Sequence, residues 1–116
     1  MTVRLGHHPR RCCHWGVYDF RARTMWIGPG AFRSDRRLRY VARHELAHAW
    51  QLGSNHVQTV VDDMHRWGAT ATITAAEMQA DCVAAEWGAG PGHYWDCPAD
   101  ARSLAGRRLA GDWATP

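Results

Sequence analysis

Lysine is absent from this chain, and all 14 of its basic side chains are arginines. They outnumber the 11 acidic residues to leave a net charge of +3, mild beside the strongly basic domains that grip phosphate. Nucleic acid is therefore not the expected partner. Long hydrophobic runs are missing too: no segment approaches the ~20 apolar residues of a membrane-spanning helix. The opening, Met1-Thr2-Val3-Arg4-Leu5-Gly6-His7-His8-Pro9, lacks the apolar core of a signal peptide. The expectation is a soluble chain with no membrane span, its compartment left open. No internal repeat, linker or low-complexity tract interrupts the 116 residues, which suit one domain, 1–116, able to bury roughly two-thirds of its unfolded surface.

Against that plain background stands Val41-Ala42-Arg43-His44-Glu45-Leu46-Ala47-His48-Ala49-Trp50, an H-E-x-x-H motif with apolar flanks. Residues four apart lie one above the other on a helix, so His44 and His48 can offer ring nitrogens to one metal ion. Glu45 projects beside them, placed to take a proton from a water as it attacks a carbonyl and to pass it to a leaving amine. A histidine-bearing amphipathic helix is the plain alternative, and it leaves Glu45 without a purpose.

Catalytic zinc takes three protein ligands and leaves a fourth position to water, so a third ligand is required. The long motif H-E-x-x-H-x-x-G-x-x-H would place glycine and histidine at 51 and 54; the chain has Gln51 and Ser54, and no Met-turn is evident, which excludes the metzincins. His56 is a reserve candidate of unmatched spacing. The stronger one is Glu77, in a second helix that reads Thr74-Ala75-Ala76-Glu77-Met78-Gln79-Ala80-Asp81-Cys82 and runs on to Gly88. Asp81, four residues on, shares its face and can accept the free ring N–H of a ligating histidine. Ala80, Ala84 and Gly88 lie on or next to that face and would let two helices approach closely. The competing reading is a capping box, Thr74-x-x-Glu77, in which Glu77 satisfies only a backbone N–H. Glu86 points elsewhere and is expected in solvent.

H-E-x-x-H followed by E-x-x-x-D resembles the gluzincins, and the segment Glu77-Met78-Gln79-Ala80-Asp81-Cys82 is similar to that of bacterial neutral zinc metallopeptidases. The size is closer to the minigluzincins. The resemblance covers residues 41–50 and 74–88. It implies a small zincin-like domain, Zn2+ as cofactor, Glu45 as general base, and His44, His48 and Glu77 as ligands.

The rest of the chain predicts an α+β unit. Trp15–Phe20 and Thr24–Gly28 read as a β-hairpin or small sheet. Three to four helices follow: one capped by Ser34 or Asp35 and stopped by Gly53, a middle helix from Val57 to about Trp67, the Glu77 helix, and a last one from Pro98 to about Leu109. Cys82 and Cys97 are near enough to allow a disulfide without the sequence requiring one, whereas Cys12 and Cys13 are adjacent and suit reduced thiols or a bridge elsewhere better than a second metal site. Thr24–Gly28 is the expected free edge for an extended peptide. His93 and Tyr94, on a glycine-flanked loop, are the expected oxyanion donors, ahead of His65. The leading expectation is a zinc metallopeptidase, an endopeptidase acting on peptide or protein substrate. Its rivals are a regulatory zinc-binding domain docking a partner through Arg36, Arg39 and Arg43, and a zinc hydrolase of non-peptide amides.

Overall fold

The computed structural model describes residues 1–11 and 14–115. Cys12 and Cys13 lie outside the described residues. The elements run β1 (Thr2–Leu5), β2 (Gly16–Asp19), β3 (Thr24–Ile27), a 3-10 turn (Pro29–Arg33), α1 (Asp35–Ser54), α2 (Val57–His65), α3 (Thr72–Glu86) and α4 (Ala99–Leu109). Among the described residues, four helices and a three-stranded mixed sheet make an α+β fold, as the sequence predicts.

The hairpin forms because Asp19 ends β2 and turns the chain: its Oδ1 accepts from Arg21 N–H and Ala22 N–H, and Arg23 takes the left-handed conformation at φ 49°. Val17 pairs with Trp26 and Tyr18 with Met25, antiparallel. A third strand was not anticipated. β1, all four of its residues exposed, pairs parallel with β3, Val3 opposite Met25. The sheet order is therefore β1-β3-β2, and Thr24–Ile27 is its central strand. This corrects the expectation of a free edge at Thr24–Gly28: both sides of β3 are paired, and the edges belong to β1 and β2.

α1 begins where Ser34 Oγ accepts from Arg37 N–H. It runs through Gly53 to Ser54 and stops at Asn55, which is left-handed at φ 61°. Gly53 is therefore not the stop. α1 packs on the sheet through Tyr40 and Val41 against Met25 and Ile27. On its other side Ala47 meets Ala80 and Val83 of α3, where small residues let the helices close. α3 is the central helix, with eight buried residues from Ala75 to Ala84. α2 packs on it through Val60 and Met64, and α4 through Ala101 and Ala105. α3 starts at Thr72 with Ala71 as its cap, so Thr74 is inside the helix and the capping-box reading of Glu77 falls. Gly88 is the left-handed residue after α3, at φ 83°, with open space around its Cα, so it does not serve the interhelical face.

Candidate metal centre

α1 carries Tyr40, His44, His48 and Gln51 along one side, each three or four residues from the next, and α3 presents Glu77 and Asp81 across from them. His44 Nδ1 donates to Asp81 Oδ1 at 2.7 Å. His48 Nδ1 donates to Gln51 Oε1 at 2.8 Å, and Gln51 Nε2 in turn donates to Ala76 O and Gln79 Oε1. With both Nδ1–H groups committed, each neutral ring carries its lone pair on Nε2. Those two Nε2 atoms face one another at 3.1 Å. Glu77 Oε1 lies 3.5 Å from His44 Nε2 and in closer contact with His48 Nε2.

Three electron-pair donors thus converge on one point, an arrangement that repels unless positive charge lies among them. A proton shared among them would meet that need. Burial lowers the His44 pKa, but Asp81 and Glu77 outweigh it and raise it to about 9. Burial raises that of Glu77, and the two imidazoles outweigh it in the opposite direction, holding the carboxyl far below its ordinary value. A metal ion answers the same need. A tetrahedral ion with bonds of about 2.0–2.1 Å sets its donors about 3.3 Å apart, close to the two spacings from His44 Nε2. His44, Glu45 and His48 also form a group that could hold a metal, their ligand atoms within 4.8 Å of one another. Glu77 Oε1 is nearer to both imidazoles than that bound.

Glu45 is 6% exposed, and its Oε2 is buried with no hydrogen-bond partner among the described residues. Burial raises its pKa, opposed by His48 and His44. It faces a hollow of ≈ 160 Å³ that Trp15, Gly16, Tyr40, His93 and Tyr94 also line. Gly16 is needed there: a Cβ would stand 2.5 Å from Val41 Cγ1 and 3.0 Å from Glu45 Cγ, so only glycine lets β2 lie this close to α1.

Asp81 sets the other wall. Its Oδ1 also accepts from Tyr40 Oη at 2.6 Å, and its Oδ2 accepts from the backbone N–H of Tyr94 and of Trp95, each at 2.9 Å. Gly92 permits this wrap, since a Cβ would fall 2.5 Å from Asp81 Oδ2. Cys82 and Cys97, whose bridging the sequence leaves open, form a disulfide, Cα to Cα 5.2 Å, that ties the same loop to α3. Tyr94 stacks on His44 with centroids 5.3 Å apart; burial and the Glu77 carboxylate raise its pKa to about 12. His93 packs on Trp15 at 4.5 Å.

No protein family, curated protein or solved structure matches this chain. The reading rests on the residues alone. His44, Glu45, His48, Glu77 and Asp81 come together, with His93 and Tyr94 at the rim. His56 does not join them: its ring stacks on Trp113 at 4.1 Å. His65 is spent on Ala69 O, and Glu86 pairs with Arg102. Sequence reasoning missed Tyr40, Gln51 and Trp15. Helical spacing signals the first two, four residues before His44 and three after His48; only tertiary structure brings Trp15 to the hollow.

Proposed function

We propose that this chain is a zinc-dependent metallopeptidase of gluzincin type, on a small zincin-like fold. One observation supports it above others: Nε2 of His44, Nε2 of His48 and Oε1 of Glu77 converge, while Asp81 and Gln51 fix the far side of each imidazole. Ring nitrogens and a carboxylate at near-tetrahedral spacing fit Zn2+. A zinc ion held there supplies Lewis acidity that polarises a peptide carbonyl and makes a water nucleophilic near neutral pH.

The chain's own residues do the rest. Glu45 takes the proton of the attacking water and returns it to the leaving amine; its burial raises its proton affinity toward the range such a base needs. Tyr94 and His93 donate hydrogen bonds toward the developing oxyanion. β2, paired only with β3, leaves an outer edge beside Gly16 on which an extended peptide backbone can pair. Glu45 favours this reading over a regulatory zinc domain docking through the exposed Arg36 and Arg39, because a zinc kept for structure takes four protein ligands and needs no base.

The test is Glu45→Gln in zinc-loaded protein assayed on unfolded casein. Zinc content should hold at one equivalent while hydrolysis drops by at least about 100-fold, the scale of a lost general base. Unchanged hydrolysis would remove Glu45 from the reaction.

A further inference from the structure

We propose that the arginine-lined end of the cleft is a carboxylate subsite, selecting peptides with an acidic group about three residues from the scissile bond; this rests on the peptidase reading above. A second hollow of ≈ 320 Å³ adjoins the one over Glu45, and Trp15, Tyr40 and His93 line both. Arg36 and Arg37 line the second hollow, and none of the described residues lining it is acidic.

Arg37 lies seven residues before His44 on α1, two turns along the same face and about 10 Å along the axis. Extended peptide advances about 3.3–3.6 Å per residue, so a chain laid along α1 with its carbonyl at the metal centre would pass Arg37 after about three residues. The Arg37 guanidinium lies 3.9 Å from the centroid of Trp15, and its Nη1 donates to Gly30 O at 3.2 Å. It is therefore held in place with donors to spare, suited to grip a carboxylate in a forked geometry.

Charge balance points the same way. The three arginines of α4 each have a carboxylate: Arg102 with Glu86, Arg107 with Asp112, Arg108 with Asp63. Among the described residues no acidic side chain pairs with Arg36 or Arg37. Arg36 and Arg37 share that lack with the other described arginines outside α4; what sets them apart is their place on the second hollow, where an acidic substrate would balance them.

The experiment uses zinc-loaded full chain and a set of quenched fluorescent peptides, amidated at the C-terminus, that differ by Glu, Gln or Lys at each of the three positions on either side of the cleaved bond. A further arm carries a free C-terminal carboxylate at the same distance with Gln inside, which separates an acidic side chain from a chain terminus as the source. Wild type should favour one carboxylate-bearing set by about fivefold in kcat/KM, through KM, with the preference shrinking in 0.5 M salt. Arg37→Glu should reverse it, and Arg36→Glu, at an exposed position, should weaken it. Titration of the same peptides, uncut, onto zinc-loaded Glu45→Gln protein reads the subsite apart from catalysis. Cleavage without charge preference, or a preference unchanged in both arginine variants, would overturn the subsite and leave the peptidase. Selective binding without cleavage would uphold the subsite and overturn the peptidase. Neither binding nor cleavage of any peptide would overturn both.

Discussion

Asp81 holds His44 and the loop above it with a single carboxylate: Oδ1 accepts from His44 Nδ1 at 2.7 Å, while Oδ2 accepts from two backbone N–H groups at Tyr94 and Trp95. The residue is 1% exposed, so nearly all of its hydrogen-bonding capacity is met by protein. It orients the His44 imidazole and one wall of the cleft at once.

Asp81→Ala should therefore do two things together. Zinc affinity, read by competition with a chelating dye, should fall about 10–100-fold, the usual effect of losing an acceptor behind a ligating imidazole. The melting temperature should fall as well, since Tyr40 Oη and two backbone N–H groups lose their acceptor. Wild-type zinc affinity in a folded variant would show that Asp81 serves only the loop.

Gln51 provides the parallel test at His48. Gln51→Leu removes the acceptor for His48 Nδ1 and the two bonds to α3, and zinc affinity should drop by about tenfold or more. Gln51→Glu keeps the acceptor and should retain more of the affinity than the leucine variant. The same dye competition ranks the two, and equal losses would mean that the bonds to α3, rather than the acceptor, are what His48 needs.

Metal and proton compete for the same atoms, which sets a pH dependence. The His44 pKa is raised in the metal-free fold to about 9 from an ordinary 6.5, so its contribution to apo stability is fully present below pH 6.5 and is lost as pH rises through 9. Glu77 is depressed, so its contribution is present above 4.5 and is lost as pH falls through its lowered value. Zinc must displace the His44 proton, so binding at pH 7.5 should release about one proton and tighten with each pH unit up to about 9. Calorimetry in two buffers of different ionisation enthalpy measures the release. Uptake, or no exchange, would contradict the charge state assigned to His44.

The Cys82–Cys97 bridge closes a separation of 15 residues and anchors the segment bearing His93 and Tyr94. Its replacement by Cys82→Ala/Cys97→Ala should cost about 3 kcal/mol of stability in denaturant unfolding. Peptide hydrolysis should fall more than zinc content, because the loop carries rim residues while Asp81 and Glu77 stay on α3.

How much of this could be read in the sequence follows from the range of each interaction. The meeting of α1 and α3 side chains was legible because residues that share a helix face obey the period of 3.6: His44 and His48 on one helix, Glu77 and Asp81 on the other. The sheet order was not. β1 is four exposed residues, and its parallel pairing with β3 depends on the chain first passing over the slot of β3 to form β2 at the far edge, which no local pattern records. The stop of α1 was misplaced because Gly53 and Asn55 can each end a helix, and here Asn55 alone takes the left-handed conformation. The junction of Trp15 with His93, which lines both hollows, joins segments far apart in the chain and became visible only in the fold.

In the proposed site His44, His48 and Glu77 grip a single divalent cation. Crystals grown with zinc and measured on both sides of the zinc absorption edge test it directly. The account predicts one strong anomalous peak per chain, about 2.0–2.1 Å from each Nε2 and about 2.0–2.2 Å from Glu77 Oε1. A zinc-replete crystal with no peak between these three side chains, or with the ion bound elsewhere, would contradict it.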